Sequence, residues 1–336
     1  MNPTPTPAPP LVPGGATAHA PAAIHTRGLR KVYPRAQGGL VAVDALDLTV
    51  RQGEFFGLLG TNGAGKSTTI GMLTTLVAPS AGQAWVAGYE VSADPVGVKS
   101  RIGVVSQANT LDRALTVADN LAFRGRYFGM RAPAARRRAL ELLERFGLTD
   151  KAGAKAHQLS GGQARRVMIG RALMHLPDVL FLDEPTAGVD PQARDDLWRI
   201  IANLHETGQT AVLTTHYLDE AEALCGRLAV IDHGRLLACD TPEAIKASSG
   251  ARTVITVHYD GDATPATDAL RGIPGGPHDM DVDGPTVRVR TTRPDGVLGH
   301  LLRAGGAVGL TVRDATTTPP SLQTAFLTLT GRDYTP

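Results

Sequence analysis

The fold prediction rests on one loop, Gly60-Thr61-Asn62-Gly63-Ala64-Gly65-Lys66-Ser67-Thr68. The loop follows the apolar run Phe55–Leu59, which is typical of a buried strand, and precedes a helical pattern that begins at Thr69. A glycine, four further residues and Gly-Lys-Ser between a strand and a helix are typical of a phosphate-binding loop. Its glycines permit positive backbone angles, so that successive N–H groups can surround an anion. The loop predicts a nucleotide site, with Lys66 reaching the β- and γ-phosphates and Ser67 offering its hydroxyl to Mg²⁺.

The bulk composition limits the possible functions. The 336 residues include 34 basic and 32 acidic side chains, a formal net charge of +2, so no nucleic-acid partner is expected. Cys225 and Cys239 lack the spacing of a metal or redox motif, which suits a reducing cytosol. No apolar run approaches the roughly 20 residues that cross a bilayer, and the N-terminus does not resemble a signal peptide. If the protein serves a membrane process, another chain is expected to supply the membrane part.

Composition and periodicity divide the first two thirds of the chain. Residues 1–22 are rich in proline and alanine and are expected to be disordered. Strands and helices alternate over residues 23–246, which predicts an α/β domain with a largely parallel sheet and an edge strand at 25–33. A helical insertion is expected at about 108–160. Its basic run, Arg136-Arg137-Arg138, is interpreted as a solvated helix face.

The composition changes again after about residue 250. A small α+β domain in a βαββαβ order is expected over residues 251–331. We predict helical stretches at 266–271 and 295–304, a strand over 309–312 and a last short helix over 321–330. No phosphate loop or metal cluster is apparent in this part of the sequence, so its role stays open.

Further polar motifs follow the predicted strands of the α/β domain. Asp183 and Glu184 end one buried strand, Gln107 ends another, and His216 ends a third. Leu159-Ser160-Gly161-Gly162-Gln163 opens an amphipathic helix, where Ser160 can act as the N-cap. Taken alone, each of these residues has an ordinary structural interpretation. Strand ends and helix starts are where ligands bind in open parallel sheets, so these positions indicate ligand-binding roles.

The order and spacing of these motifs resemble the ATP-binding subunit of an ABC transporter, over roughly residues 24–245. The resemblance implies a RecA-like P-loop NTPase core with an inserted helical subdomain. It also implies ATP and Mg²⁺ as cofactors, with Tyr33 stacking on adenine. Asp183 is implied as a ligand of Mg²⁺ beside Ser67, and Gln107 as the side chain that reaches Mg²⁺ and the attacking water.

Catalysis and dimer formation are also implied by this resemblance. Glu184 matches the catalytic glutamate that orients or deprotonates the attacking water, and His216 matches the histidine that senses the γ-phosphate. The signature Leu159–Gln163 forms a second anion cradle with no nucleotide of its own in the same chain. The loop Ala187-Gly188-Val189-Asp190 matches the loop that communicates between subunits. The expected assembly is a head-to-tail homodimer with two ATP molecules at its interface.

The branch of the family is indicated by what the chain contains. It has one P-loop and one signature, and Leu159 follows Lys66 by 93 positions (159 − 66), too few for the long coiled coil of DNA-repair relatives. Further stretches resemble drug-export ATPases of the daunorubicin-resistance type and nodulation-factor exporters: Arg101–Gln107, Arg126–Met130, Leu213–Glu222 and Pro320–Gly331.

This subtype implies a motor subunit for the efflux of a drug, lipid or glycolipid through a separate integral-membrane permease of the ABC-2 type. The chain would then lie at the cytoplasmic side of the cell membrane. Phe123, Tyr127 and Phe128 are candidates to line a groove for the permease, although they could equally pack the helical insertion. The alternative is a soluble ABC-type ATPase with a regulatory or nucleic-acid-linked role.

Overall fold

The structure is a computed structural model that describes residues 22–34, 39–268 and 279–331. The predicted N-terminal tail, residues 1–22, lies outside the described residues except for Ala22, which begins the first strand. The described part of the chain contains three β-sheets and the helices that connect their strands. None of the helices in these ranges is long and apolar enough to cross a membrane.

A six-stranded sheet lies at the centre of the α/β domain. Its strands are β3 (Phe55–Leu59), β6 (Ile102–Val105), β7 (Val179–Asp183), β8 (Thr210–Thr215), β9 (Arg227–Asp232) and β10 (Arg235–Asp240). They lie in the order β10-β9-β3-β8-β7-β6, and all neighbours are parallel except β9 and β10. β3 and β8 are buried along their whole length, as expected of strands covered on both faces. The prediction of a largely parallel sheet is confirmed.

A second, antiparallel sheet packs against the central one. Its strands are β1 (Ala22–Tyr33), β2 (Leu40–Arg51), β4 (Ala81–Val86) and β5 (Tyr89–Glu90), in the order β2-β1-β4-β5. The predicted edge position of residues 25–33 is wrong, because β1 pairs with β2 on one side and with β4 on the other. Register shifts between Thr26 and Lys31 interrupt the regular alternation, so the sequence pattern does not reveal the second partner.

Helices cover the central sheet on opposite sides. They are α1 (Lys66–Leu73), α2 (Pro95–Arg101), α3 (Val117–Tyr127), α4 (Ala132–Arg145), α5 (Gly161–Ala172), α6 (Pro191–Glu206), α7 (Leu218–Leu224) and α8 (Pro242–Ser248). Successive residues of β7 point to opposite faces of the sheet. Leu180 and Leu182 share a core with the helical insertion, α5 and α6, whereas Phe181 packs with α1 and the antiparallel sheet.

The helical insertion consists of α3, α4 and two 3₁₀ turns at Thr149–Lys151 and Ala156–Gln158. Thr116 caps α3 by accepting a hydrogen bond from the Asp119 backbone N–H at 3.1 Å. α4 buries one apolar side that includes Leu142 and Leu143, whereas Arg136 and Arg137 are exposed. Two helices and two 3₁₀ turns therefore lie between Val117 and Gln158, and the basic run lies mainly on a solvated face.

The third sheet lies in the C-terminal part and has the order β12-β13-β11-β14, with every pair antiparallel. Its strands are β11 (Thr253–Tyr259), β12 (Asp279–Asp283), β13 (Thr286–Thr291) and β14 (Val312–Thr318). Along the chain, α9 (Val297–Ala307) connects β13 to β14, and α10 (Leu322–Leu329) follows β14. Residues 269–271 of the predicted helix at 266–271 lie outside the described residues. The predicted strand at 309–312 is wrong, because Gly309 has φ +82° in the turn after α9 and pairing starts only at Val312.

The last helix, α10, packs on the α/β domain. Leu322, Ala325 and Phe326 share a core cluster with Leu59, the last residue of β3. Ala221, Leu228, Val230 and Ile245 complete this cluster. α10 therefore contacts the strand that leads into the phosphate-binding loop.

Candidate active site

The loop between β3 and α1 approaches its neighbours so closely that it requires glycine. A Cβ on Gly60 would lie 2.4 Å from the carbonyl oxygen of Ile231. Gly65 has φ +109°, and a Cβ there would lie 2.5 Å from the carbonyl oxygen of Ala42. Backbone atoms cannot move aside at such distances, so only glycine fits at both positions. The loop is thus held open by β2 and β9.

Lys66, the first residue of α1, is 5% exposed. Its Nζ donates to the carbonyl oxygens of Gly60 at 2.8 Å and Thr61 at 3.2 Å, and lies 3.9 Å from Glu184 Oε1. Burial lowers the pKa of Lys66, and the charges of Glu184 and Asp183 oppose this shift. The ammonium group is therefore positioned on the loop, where an incoming phosphate can replace the two carbonyl oxygens.

The pair Asp183 and Glu184 is positioned by Thr214 on the neighbouring strand. The Thr214 hydroxyl donates to Asp183 Oδ1 at 2.6 Å. The Thr214 hydroxyl oxygen also accepts a hydrogen bond from the Glu184 backbone N–H at 3.0 Å. Asp183 is the last residue of β7 and lies opposite Thr214 in the parallel register. Glu184 has φ +45°, a left-handed conformation that is uncommon for a side chain of this size.

The Glu184 carboxylate collects three of the predicted site residues. His216 Nδ1 lies 3.2 Å from Oε1, and Gln107 Nε2 donates to Oε2 at 3.3 Å. With Lys66 also near Oε1, both carboxylate oxygens have a polar neighbour. Gln107, Glu184 and His216 follow the ends of β6, β7 and β8, which are adjacent in the sheet, whereas Lys66 follows β3. The ends of these strands therefore bring the three groups together at one edge of the sheet.

Lys66, Gln107, Glu184 and His216 line one cavity of about 580 Å³, and Asp183 is not among its lining residues. Its lining includes Tyr33, most of the phosphate-binding loop from Thr61 to Thr68, Gln107, Glu184 and His216. Tyr33 lines the cavity together with Leu40 and Val41, and its aromatic ring can stack on a planar base. A second depression of about 430 Å³ lies around Gln52, Pro177 and Gln209 and contains none of the predicted site residues.

The signature residues and Asp190 do not line this cavity. Ser160 caps α5 by accepting from the Gln163 backbone N–H at 3.3 Å, and Gln163 Oε1 accepts from the Ser160 N–H at 3.0 Å. Ser160 and Gly161 are exposed, whereas a Cβ on Gly162 would lie 2.8 Å from the Cβ of Ala193. Asp190 caps α6 through the Ala193 backbone N–H at 3.0 Å. The chain therefore presents a second, exposed helix start away from the phosphate loop.

Sequence reasoning missed Arg165, a site residue on α5 that is 5% exposed. Its guanidinium donates to the carbonyl oxygens of Ser106 at 2.6 Å and Glu184 at 2.8 Å. Burial lowers the pKa of Arg165, and the charges of Asp183, Glu220 and Glu184 oppose the shift. A charged residue on the apolar side of an amphipathic helix was the available signal, because such residues are rarely buried without a partner. Thr214 gave no signal, since its role depends on strand order.

The oxygen donors fit a magnesium ion that is shared with phosphates. Ser67 offers a hydroxyl, Asp183 a carboxylate and Gln107 an amide oxygen, which are the hard ligands that Mg²⁺ prefers. Within the described residues, no group of three His, Cys, Asp or Glu side chains could hold a metal by itself. Such a sparse donor set suits an ion whose remaining ligands are water and substrate phosphate.

Comparison with known proteins gives consistent matches. The family described as ABC transporter matches residues 43–187. The daunorubicin/doxorubicin resistance ATP-binding protein DrrA of Streptomyces peucetius is 41% identical over 313 residues, which cover 92% of each chain. The linearmycin resistance ATP-binding protein LnrL of Bacillus subtilis is 37% identical over 89% of this chain and 96% of its own length. The Nod factor export ATP-binding protein I of Burkholderia lata is 41% identical over 88% and 94%.

A solved structure shows the same core. The dimeric ATP-binding cassette MJ0796, bound to ADP and Pi in a post-hydrolysis state, superposes with a TM-score of 0.60 at 27% identity. The match covers 65% of this chain and 98% of that cassette. The similar proteins named above are ATP-binding proteins of resistance or export, which favours an exporter ATPase over a soluble regulatory or nucleic-acid-linked one. The chain therefore belongs to the ATP-binding proteins of ABC transporters and is an ATPase of that family.

Proposed function

We propose that this chain is the ATP-hydrolysing motor subunit of an ABC-2 type exporter. The observation that carries this proposal is a single cavity that joins the phosphate loop to Glu184, His216 and Gln107. A cavity with a cradle alone would suit binding without hydrolysis. A carboxylate with polar neighbours on both oxygens, next to that cradle, also supplies a base.

ATP binding is proposed to use the cavity from its rim to the loop. Adenine would stack on Tyr33, and the phosphates would replace the loop carbonyls as partners of Lys66. Ser67, Asp183 and Gln107 would hold Mg²⁺, which neutralises phosphate charge when it is bound. Thr214 keeps the Asp183 carboxylate oriented through its 2.6 Å hydrogen bond.

Hydrolysis is proposed to use Glu184 as the general base. Its carboxylate would take the proton of the water that attacks the γ-phosphate. Gln107 and His216 would exchange their present bonds to Glu184 for contacts with water and with the γ-phosphate oxygen. Arg165 would keep the Glu184 backbone in place during this exchange through its hydrogen bond to the carbonyl oxygen, so that only side chains have to reorient.

A second copy is proposed to complete each site. Ser160 and Gly161 are exposed at the start of α5, where backbone N–H groups and the helix dipole favour a phosphate. Because these residues lie outside the cavity of their own chain, they would contact ATP held by the partner. The loop that ends at Asp190 would lie at the same interface.

The exported compound is proposed to be a hydrophobic drug, lipid or glycolipid. The proteins that this chain resembles are named for resistance to daunorubicin, doxorubicin or linearmycin and for export of Nod factors. The permease is proposed to dock on α3, in a groove beside Gln107. Phe123 and Tyr127 of α3 are 63% and 71% exposed. Docking there would hold the chain at the cytoplasmic side of the membrane.

Affinity purification of the tagged chain from its native membranes in mild detergent tests this proposal. We expect one polytopic membrane protein to copurify and to change the ATPase rate. The Glu184→Gln variant should bind ATP, hydrolyse it poorly and accumulate as a dimer. Recovery of soluble partners alone, with full ATPase activity, would contradict the exporter assignment, and wild-type turnover by the variant would contradict the base assignment.

A further inference from the structure

Glu220, on the first turn of α7, is a carboxylic acid with 0% exposure. Its Oε1 accepts hydrogen bonds from the Thr186 hydroxyl at 2.9 Å and from Trp198 Nε1 at 3.2 Å. Neither donor belongs to α7. A fully buried acid that gathers donors from two other segments is unusual, because acidic side chains are rarely buried without a specific partner.

Stability alone does not explain this residue. Burial raises the pKa of Glu220, which shows that the site disfavours its charged form, although hydrogen bonds from Thr215, Thr186 and Trp198 oppose the shift. An apolar side chain of similar volume often serves a packed interior as well as a buried polar group does. The hydrogen bonds of Glu220 fix α7 relative to Thr186 and to Trp198. A leucine at position 220 could not form these directional bonds.

Both donors belong to the stretch that leaves the catalytic glutamate. Thr186 is two residues after Glu184 and directly precedes the loop 187–190. Trp198 lies on α6, the helix that this loop leads into. Glu220 itself is four residues after His216, and its helix begins two residues after that histidine. Arg194 of α6 reinforces the contact, because its guanidinium lies 5.6 Å from the Trp198 ring centre and 5.9 Å from that of Tyr217.

We propose that Glu220 is a positioning residue that couples His216 to the 187–190 loop. This inference rests on the proposed function, in which His216 contacts the γ-phosphate and the loop meets the partner subunit. When His216 leaves Glu184 for the phosphate, the movement reaches α7 through Tyr217, whose ring lies 4.2 Å from that of His216 and whose carbonyl oxygen accepts from the Ala221 backbone N–H at 3.2 Å. The two hydrogen bonds carry that movement to Thr186 and α6. Each subunit thereby reports its γ-phosphate to the surface that faces the other.

Trp198 supplies a direct readout of this coupling. The sequence has two tryptophans, so a Trp85→Phe background leaves Trp198 as the sole indole. Its Nε1 donates to Glu220, hence a movement of α7 on ATP binding changes the environment of the fluorophore. The full-length Glu184→Gln protein in this background is titrated with Mg²⁺-ATP, and the fluorescence change and ATP affinity are recorded together.

Three substitutions at or near Glu220 form the test. Glu220→Leu removes the acceptor, Glu220→Gln keeps one, and Glu222→Gln is the control on the same helix, where Glu222 pairs with Lys246 at 2.7 Å. We expect Glu220→Leu to keep ATP affinity within about twofold, to lose the Trp198 signal and, with Glu184 intact, to lower kcat roughly tenfold. Glu220→Gln should restore most of both, and Glu222→Gln should match the parent.

A Glu220→Leu protein with the parent's fluorescence response and kcat would overturn the proposal. So would equal losses in Glu220→Leu and Glu220→Gln, because an acceptor alone would then not suffice. If Glu220→Leu does not fold, Thr186→Val removes the loop-side donor with little change of volume and must reduce the signal and the Hill coefficient for ATP. Failure of the proposed function would give a different result, because the parent protein itself would then not bind ATP or would not copurify with a permease.

Discussion

Replacement of Arg165 by methionine tests whether the position of the Glu184 carboxylate depends on a buried backbone tether. The substitution keeps the apolar stem but removes the two donors to the Ser106 and Glu184 carbonyls. Each charge-assisted bond contributes about 1.5–3 kcal/mol, and relief of the buried charge offsets part of this. We expect the free energy of unfolding to fall by about 2–4 kcal/mol. A shift of about 1 Å in Glu184 would lower kcat about 100-fold.

The neighbouring arginine provides a matched control. Arg166 has the same chemistry on the same helix, but its guanidinium forms a partly exposed ion pair with Asp196 at 3.5 Å. Such pairs contribute about 0–1 kcal/mol, so Arg166→Met should change stability and kcat little. Both variants are compared by thermal unfolding, by ATPase rate at saturating ATP and by affinity for a fluorescent ATP analogue.

The decisive quantity is kcat relative to ATP affinity. The hydrogen bonds of Arg165 described above go to Ser106 and Glu184 and not to the phosphate loop. The affinity for ATP should therefore change by less than about threefold. If Arg165→Met and Arg166→Met had the same kcat, the tether would have no role in positioning Glu184. If ATP affinity fell as far as kcat, the residue would support the fold of the whole site instead.

Three further predictions concern the loop, pH and the exposed aromatic residues. Gly65→Ala should cost about 1–3 kcal/mol of stability and abolish binding of the ATP analogue, because its Cβ would meet a carbonyl oxygen; normal binding would contradict this. Burial lowers the pKa of His175, so the stability it contributes above about pH 6.5 is lost as pH falls through the folded pKa. His175→Gln should flatten thermal stability between pH 7 and 5, and an unchanged slope would contradict this assignment. Phe123→Ala should lower copurification of the permease without changing the melting temperature, whereas Phe128→Ala should lower the melting temperature, because Phe128 stacks on His175 at 3.8 Å; the opposite pattern would exclude the docking surface.

The parts of the site that sequence could predict are those fixed by local order along the chain. A strand, a glycine-rich loop and a helix necessarily place Lys66 and Ser67 at the carboxyl end of β3. Parallel strands then bring Gln107, Glu184 and His216 to the same edge, whatever the order of the strands. Local order along the chain is therefore enough to bring Lys66, Ser67, Gln107, Glu184 and His216 to the cavity.

The parts that escaped prediction depend on which strands are neighbours. Thr214 can bond Asp183 only because β8 lies beside β7, and no pattern within either strand specifies that. The second partner of β1 was missed for the same reason. Gly309 shows a different limit, since a four-residue alternation is too short to distinguish a strand from the turn after a helix.

The backbone of Glu184 has a consequence for engineering this protein. A left-handed conformation costs a residue with a Cβ about 1–2 kcal/mol, and glycine or asparagine adopts it more readily. Substitutions that relax this turn would raise the melting temperature while they remove the proposed general base. A library selected only for heat resistance is therefore expected to enrich inactive sequences at position 184, so selection for thermostability has to be coupled to turnover.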